Sequence, residues 1–277
     1  MTTAGGINQR PASAHVPPDF VVEPASLQEH VLGTYFNLRV GIAVLAVAFP
    51  LLLSIAGMIA GIPLQGSMSA YYWAVPTPAV CSPMPAMWPS GTLRNEFVGL
   101  LIAVSGFLYL YKGFSRSENI ALNLAGIFGV IVALVPTHWP LCEASALVNV
   151  HSTAAVLFFL CIAYVSVFRA GDTLSLVDDA KRRAMYQRWY TLLGMAMIVS
   201  PLAAVVFNDF FTPPGTMSSL VFFVEAFGVW AFAAYWIVKS RELRETSVVR
   251  RAIEGRLVRA KKHRTGRPDD ARVLVNG

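Results

Sequence analysis

Two apolar stretches separated by a short basic turn constrain this chain more than any other feature. Phe97 to Tyr111 is apolar apart from Ser105, and Ile120 to Thr137 is apolar apart from Asn123 and Thr137 itself. With the polar residues at their ends, each approaches the ~20 residues needed to cross ~30 Å of hydrocarbon. The connection from Lys112 to Glu118 allows only a tight return. Ser115-Arg116-Ser117-Glu118 has the form of a capping box, in which the serine bonds an orphan amide of the next helix and the glutamate reaches back. Lys112 and Arg116 make the turn positive, which marks it as cytoplasmic and sends Arg94 and His138 outward.

The same blocked pattern runs through the chain. Of 277 residues, 55% are hydrophobic and 14% charged, whereas a soluble domain is about one quarter charged. The expectation is an all-α integral membrane protein, a six-transmembrane-helix bundle with spans at about 40–64, 95–112, 119–137, 149–168, 189–207 and 217–238. Residues 1–25 read as disordered, and 240–277 as a basic amphipathic cytoplasmic tail. No signal peptide is visible, so the first span would serve as its own insertion signal. A helix is expected to start at the capping box Ser26 to Glu29 and to kink at Pro50.

Charge placement sets the expected orientation. Lys239 to Gly277 holds twelve Lys/Arg and five Asp/Glu, against a net charge of +6 for the whole chain. With six spans, 21 of the 22 Lys/Arg fall in segments predicted cytoplasmic, and Arg94 alone falls outside. Both termini are then cytoplasmic. Charge this localised points to membrane lipids as partners, not to nucleic acid. In the tail, Val249, Ile253, Leu257 and Ala260 recur at helical spacing among arginines and lysines, a pattern suited to anionic lipid.

Ionisable residues inside spans are costly and mark candidate sites. Glu225 lies eight residues past Met217, about 12 Å in from the outer end. Glu96 precedes Gly99, Ala103 and Gly106, a small-residue face that suggests close helix contact, so Glu96 is expected to point inward, with Arg94 near enough to pair. His151 opens the fourth span. These residues, with Asp209, Tyr71 and Tyr72, sort to the outer side and define an expected outward-facing polar pocket. His151, Glu96 and Glu225 could also supply three metal ligands, though no local ligand motif supports a site, and a contribution from Cys142 with His138 is disfavoured by Pro140 between them. Asn119 and Asn123 share a face of the third span and read as interhelical hydrogen-bonding groups.

Gln65 to Leu93 is a long outer loop, too rich in proline for a regular helix. Its aromatics read first as an interfacial belt and second as a lid. Gly57 and Gly61 form a small-xxx-small pair, read as plain packing. Cys81 and Cys142 both fall in outer loops and are expected to form a disulfide; Cys161 is mid-span and reads as a small apolar residue. No phosphate-binding glycine loop, nucleophile elbow or haem motif is present, and no cofactor is expected.

Four phrases occur in order: Ser67-Met68-Ser69-Ala70-Tyr71-Tyr72, Arg94-Asn95-Glu96-Phe97-Val98-Gly99, Tyr111-Lys112-Gly113, and Glu118 before the third span. Together they resemble a group of bacterial multi-pass membrane proteins that carry no assigned activity. The resemblance covers roughly residues 65 to 240 and implies a bacterial cytoplasmic (inner) membrane. The seven-helix hydrolases that include alkaline ceramidases carry a late His-x-x-x-His pair, which this sequence lacks. The leading expectation is a protein that binds or handles a lipid or small molecule in the outward pocket. A metal-dependent membrane hydrolase, a proton- or ion-coupled transporter, and a membrane scaffold with a lipid- or partner-binding tail are the alternatives.

Overall fold

The computed structural model describes residues 24–75, 91–136, 149–211 and 218–246. These are all-helical. The principal helices are α1 (Pro24–Ile59), α2 (Arg94–Leu110), α3 (Arg116–Leu134), α4 (Val150–Tyr164), α5 (Ala180–Phe211) and α6 (Leu220–Glu245). Helix α4 runs on through a π turn, Val165–Arg169, into a 3-10 segment, Ala170–Leu176. Each helix packs on its neighbours in the chain, and α6 packs on α1, so the six close into a ring.

Five of these helical segments are long and apolar enough to cross a membrane: Glu29–Ile59, Arg116–Leu134, Val150–Leu176, Ala180–Phe207 and Leu220–Glu245. Helix α2 has 17 residues, about 26 Å at 1.5 Å per residue. Large apolar side chains such as Met58, Leu110, Leu192 and Phe227 face outward. In water that coat would be an aggregation liability, and in lipid it is the expected surface.

The ends of the helices follow local chemistry. Gly61 has φ +73° and closes α1. The Ile62 N–H donates to Gly57 O at 2.8 Å and the Gly61 N–H to Met58 O at 3.2 Å, the paired bonds of a Schellman turn. A Cβ on Gly57 would lie 2.9 Å from the Tyr71 ring. The two glycines therefore have separate jobs, one admitting Tyr71 and one ending the helix. At the start of α3 the Glu118 N–H donates to Ser115 Oγ at 3.2 Å, but the Glu118 carboxylate accepts from Phe114 N at 2.8 Å. The glutamate thus reaches one residue further back than a capping box requires, and this draws it under the turn, where it is buried. Helix α1 continues through Pro50, and the Ser54 hydroxyl donates to the Pro50 carbonyl at 2.9 Å.

Three boundaries differ from the hydropathy reading. Helix α5 begins at Ala180, nine residues before the apolar block, capped by Asp179, whose carboxylate accepts the Lys181 N–H at 2.8 Å. That bond, followed by those from Arg182, holds the Asp179 carboxyl below its ordinary range. Helix α6 runs on to Glu245, so Lys239 and Glu242 belong to the bundle and not to a tail. In the loop after α1, Met68 and Ala70 to Ala74 are buried. A 3-10 turn, Ser69–Tyr72, sets Tyr71 against Phe222 and Tyr72 against Phe97, so these rings are core and not an interfacial belt.

Candidate functional site

The polar groups gather at the end of the ring that carries the Lys112–Glu118 turn. Lys239 on α6 is 1% exposed and Glu242, one turn on, is 0% exposed. Lysine and glutamate are almost never this buried unless paired, and here the pairing is complete. Lys239 Nζ donates to Glu242 Oε2 at 2.8 Å, to Thr173 Oγ1 at 2.7 Å and to Ala170 O at 2.9 Å, which uses all three ammonium protons. Thr173 Oγ1 donates to Glu242 Oε1 at 2.6 Å, and Tyr190 Oη donates to Glu242 Oε2 at 2.7 Å.

Backbone irregularity makes this centre possible. The change of winding from α4 through the π turn to the 3-10 segment offers Ala170 O to a side chain. Non-helical backbone at membrane depth is tolerated only where protein groups satisfy it. The Ser166 hydroxyl donates to Tyr190 O at 2.8 Å and ties the π turn to α5. A side chain at Gly194 would collide with Val167, so only glycine lets α5 come this close.

Further polar groups lie around the pair. Glu118 is 2% exposed, and Lys239 acts on it electrostatically. Arg39 on α1 is 2% exposed, and its Nε and Nη1 have no hydrogen-bond partner among the described residues. The guanidinium lies beside the Tyr111 hydroxyl, but no hydrogen bond of good geometry forms, and Tyr111 Oη is also without a partner. Tyr111 packs edge-on to Trp236, with centroids 4.9 Å apart, and the Trp236 Nε1–H has no acceptor.

The residues expected to form an outward pocket are not brought into one group. Glu96 is exposed, and nothing lies within 4 Å of a Cβ built on Gly99 or Gly106. The buried face of α2 is instead Phe97, Leu101, Val104, Ser105 and Leu108. Glu96 therefore points out of the bundle, because those larger apolar residues bury more surface than the glycines. Arg94 does not pair with it but lies over the Tyr72 ring at 4.5 Å. His151 is buried, and its Nδ1 lies 2.7 Å from Val135 O. A carbonyl only accepts, so Nδ1 carries the proton, and His151 caps the end of α3.

Glu225 is half-buried and accepts the Met68 N–H at 2.7 Å, while the Phe222 N–H donates to Gly66 O at 2.8 Å. Glu225, Tyr71, Tyr72 and Arg94 thus surround one docked turn. Burial raises the Tyr71 phenol above its ordinary pKa, and among the described residues its Oη has no hydrogen-bond partner of good geometry. Among the described residues no hydrogen bond or ion pair links any two of Glu96, His151 and Glu225, and no group of three His/Cys/Asp/Glu could hold a metal. The metal site considered for those three residues does not assemble. Asn123, with its amide turned to suit both neighbours, donates to Tyr109 O at 3.0 Å, the interhelical bond expected of it.

Asp209 falls on α5, but its side chain lies outside the described residues, as do Cys81, Cys142, His138 and the tail 247–277. Sequence reasoning missed Lys239, Glu242, Thr173, Tyr190 and Arg39 as a group. One signal was available: Lys239 and Glu242 stand three apart, directly after Tyr235-Trp236, so an ion pair on one helical face continues the aromatic core. Set against protein-family models, curated proteins and solved structures, the chain matches none. Fold and sequence together define an all-helical protein with the apolar helices of a multi-pass membrane protein.

Proposed function

We propose that this is a six-span protein of a bacterial cytoplasmic membrane, with both termini cytoplasmic, that binds or handles a lipid or small molecule at the polar centre of its basic end. The Lys/Arg distribution and the resemblance in residues 65 to 240 support the topology and location. The observation that carries the functional reading is the Lys239–Glu242 pair, with exposures of 1% and 0%. A buried pair is seldom worth more than well-packed apolar residues of the same volume. In membrane proteins such groups mark substrate, ion or ligand sites by default. The unsatisfied donors beside the pair favour a bound ligand over a purely structural role.

The test is mass spectrometry of molecules extracted from protein purified in mild detergent. Wild type is expected to carry a bound lipid or small molecule. Lys239→Met/Glu242→Met is expected to lose it while keeping its helicity. Equal retention by both proteins removes the polar centre from the function.

One observation favours a second reading, a proton- or ion-coupled transporter. Glu225 and Glu242 sit on the same helix, 17 residues apart, about 25 Å along its axis, and the one hydrogen bond described for Glu225 is from the Met68 backbone. Flux in liposomes that is unchanged by Glu225→Gln excludes that role.

A further inference from the structure

The donors left over at the polar centre have a common chemistry. Arg39 Nε and Nη1, Tyr111 Oη and Trp236 Nε1 are buried without hydrogen-bond partners among the described residues. Arg39, Tyr111 and Trp236 are 2%, 1% and 1% exposed. Arg39 lies beside Tyr111, and Tyr111 packs on Trp236. Arginine and the indole N–H can only donate, and the phenol can donate as well. Buried polar groups are normally hydrogen-bonded, and leaving one unpaired is costly. Three adjoining residues with spare donors therefore call for acceptor oxygens. Glu118 acts electrostatically on Tyr111, but its carboxylate is already engaged by Phe114 N and by the charge of Lys239.

Depth narrows the source. Arg39 lies 20 residues before the end of α1 at Ile59, about 30 Å along the axis and close to the hydrocarbon thickness of a bilayer. If Ile59 marks one boundary, Arg39 is at the level of head groups at the other. Val40, Val44 and Val47 on the same helix are exposed, as lipid-facing positions should be. Phe36, one turn before Arg39, is half-buried, and the exposed Arg244 guanidinium stacks over it at 4.8 Å. A second cation thus stands next to the same turn.

We infer that Arg39, Tyr111 and Trp236 form a binding site for an oxyanion, the phosphate of an anionic phospholipid or a free phosphate ion. This deepens the reading of the polar centre by naming the chemistry of its ligand. Arg39 Nε–H and Nη1–H lie on different edges of the guanidinium, so each can give one charge-assisted N–H bond to an oxyanion oxygen, and the phenol and indole add to the donor set.

The test uses the full chain in phosphatidylcholine vesicles and reads its thermal unfolding. One arm adds phosphatidylglycerol to the vesicles, and the other adds inorganic phosphate to phosphatidylcholine alone. Stabilisation in the first arm identifies a head group, and in the second a soluble oxyanion. In whichever arm responds, R39Q is expected to raise the half-saturating concentration about 10- to 100-fold, the loss of a charge-assisted contact. Y111F and W236F are expected to raise it about 3- to 10-fold each. R39K guards against a variant that fails to fold: it keeps the charge, loses the separate Nε and Nη1 donors, and is expected to fall between wild type and R39Q. The basic tail is identical in all these proteins, so its own attraction to anionic lipid cancels. Absence of stabilisation in both arms, or a response in R39Q and R39K equal to wild type, overturns the inference. Loss of the response in R39Q but not in Lys239→Met/Glu242→Met would keep the oxyanion site and remove the ion pair from it.

Discussion

The most exposing perturbation is removal of one member of the buried pair. In Lys239→Met the Glu242 carboxylate keeps Thr173 and Tyr190 as donors but loses its cation, 2.8 Å away. Breaking a buried pair from one side costs about 3–5 kcal/mol, because an uncompensated charge remains. Glu242→Met leaves the ammonium with Thr173 Oγ1 and Ala170 O and should cost about the same. At about 2–4 °C per kcal/mol for a chain of this size, each single substitution lowers Tm by roughly 6–20 °C. The double variant removes both charges and strands the Tyr190 hydroxyl, worth about 1–3 kcal/mol, while Thr173 Oγ1 keeps Ala170 O as an acceptor at 3.5 Å. Its cost should be about 1–3 kcal/mol, well short of the sum of the singles. The coupling energy is then about 3 kcal/mol or more, at the top of the range for contacting residues. Intrinsic fluorescence during heating in detergent reads all four proteins. Singles that cost under about 1 kcal/mol, or that simply add in the double variant, would refute the idea that the two charges depend on each other.

Three further outcomes follow from the packing. A side chain at Gly129 collides with Ser105 Oγ, so Gly129→Ala should cost about 1–3 kcal/mol alone and under about 1 kcal/mol on a Ser105→Ala background; equal costs would mean that α2 and α3 do not meet there. The Asp179 carboxyl is held low, first by the bond from Lys181 N, so its capping contribution is present at neutral pH and lost as the pH falls through that lowered value. Asp179→Asn keeps an acceptor oxygen and should flatten that part of the acid unfolding curve; an unchanged curve contradicts the assignment. For topology, Asn95→Cys should react with an impermeant thiol reagent from outside intact cells, and Ser117→Cys only after the inner face is exposed.

Much of the bundle was legible in the sequence, because apolar blocks are set by the thickness of hydrocarbon and survive any detail of packing. The Asn123 bond and the Ser115 cap were legible too, since both depend on neighbours close in sequence or on one helical face. The polar centre was not. A hydropathy reading ends a span at the first charge, so the sixth span stopped at 238 and Glu242 fell in the tail, although α6 continues to Glu245 and buries Lys239 and Glu242. Thr173 and Tyr190 meet Glu242 only because the chain changes winding after Tyr164. No residue pattern announces that change. For Glu96, the glycine face suggested contact, but Phe97 and Leu101 on the opposite side took it. Identical residue types at one end of a helix can face either way, and only the neighbouring helices decide.

A density map of the protein determined in lipid nanodiscs bears on all of this at once. Non-protein density within hydrogen-bonding distance of Arg39, Tyr111 and Trp236, beside an intact Lys239–Glu242 pair, is the expected result. Arg39 paired with a carboxylate of the protein itself, or turned out to solvent with no density beside it, would contradict a ligand site at the basic end.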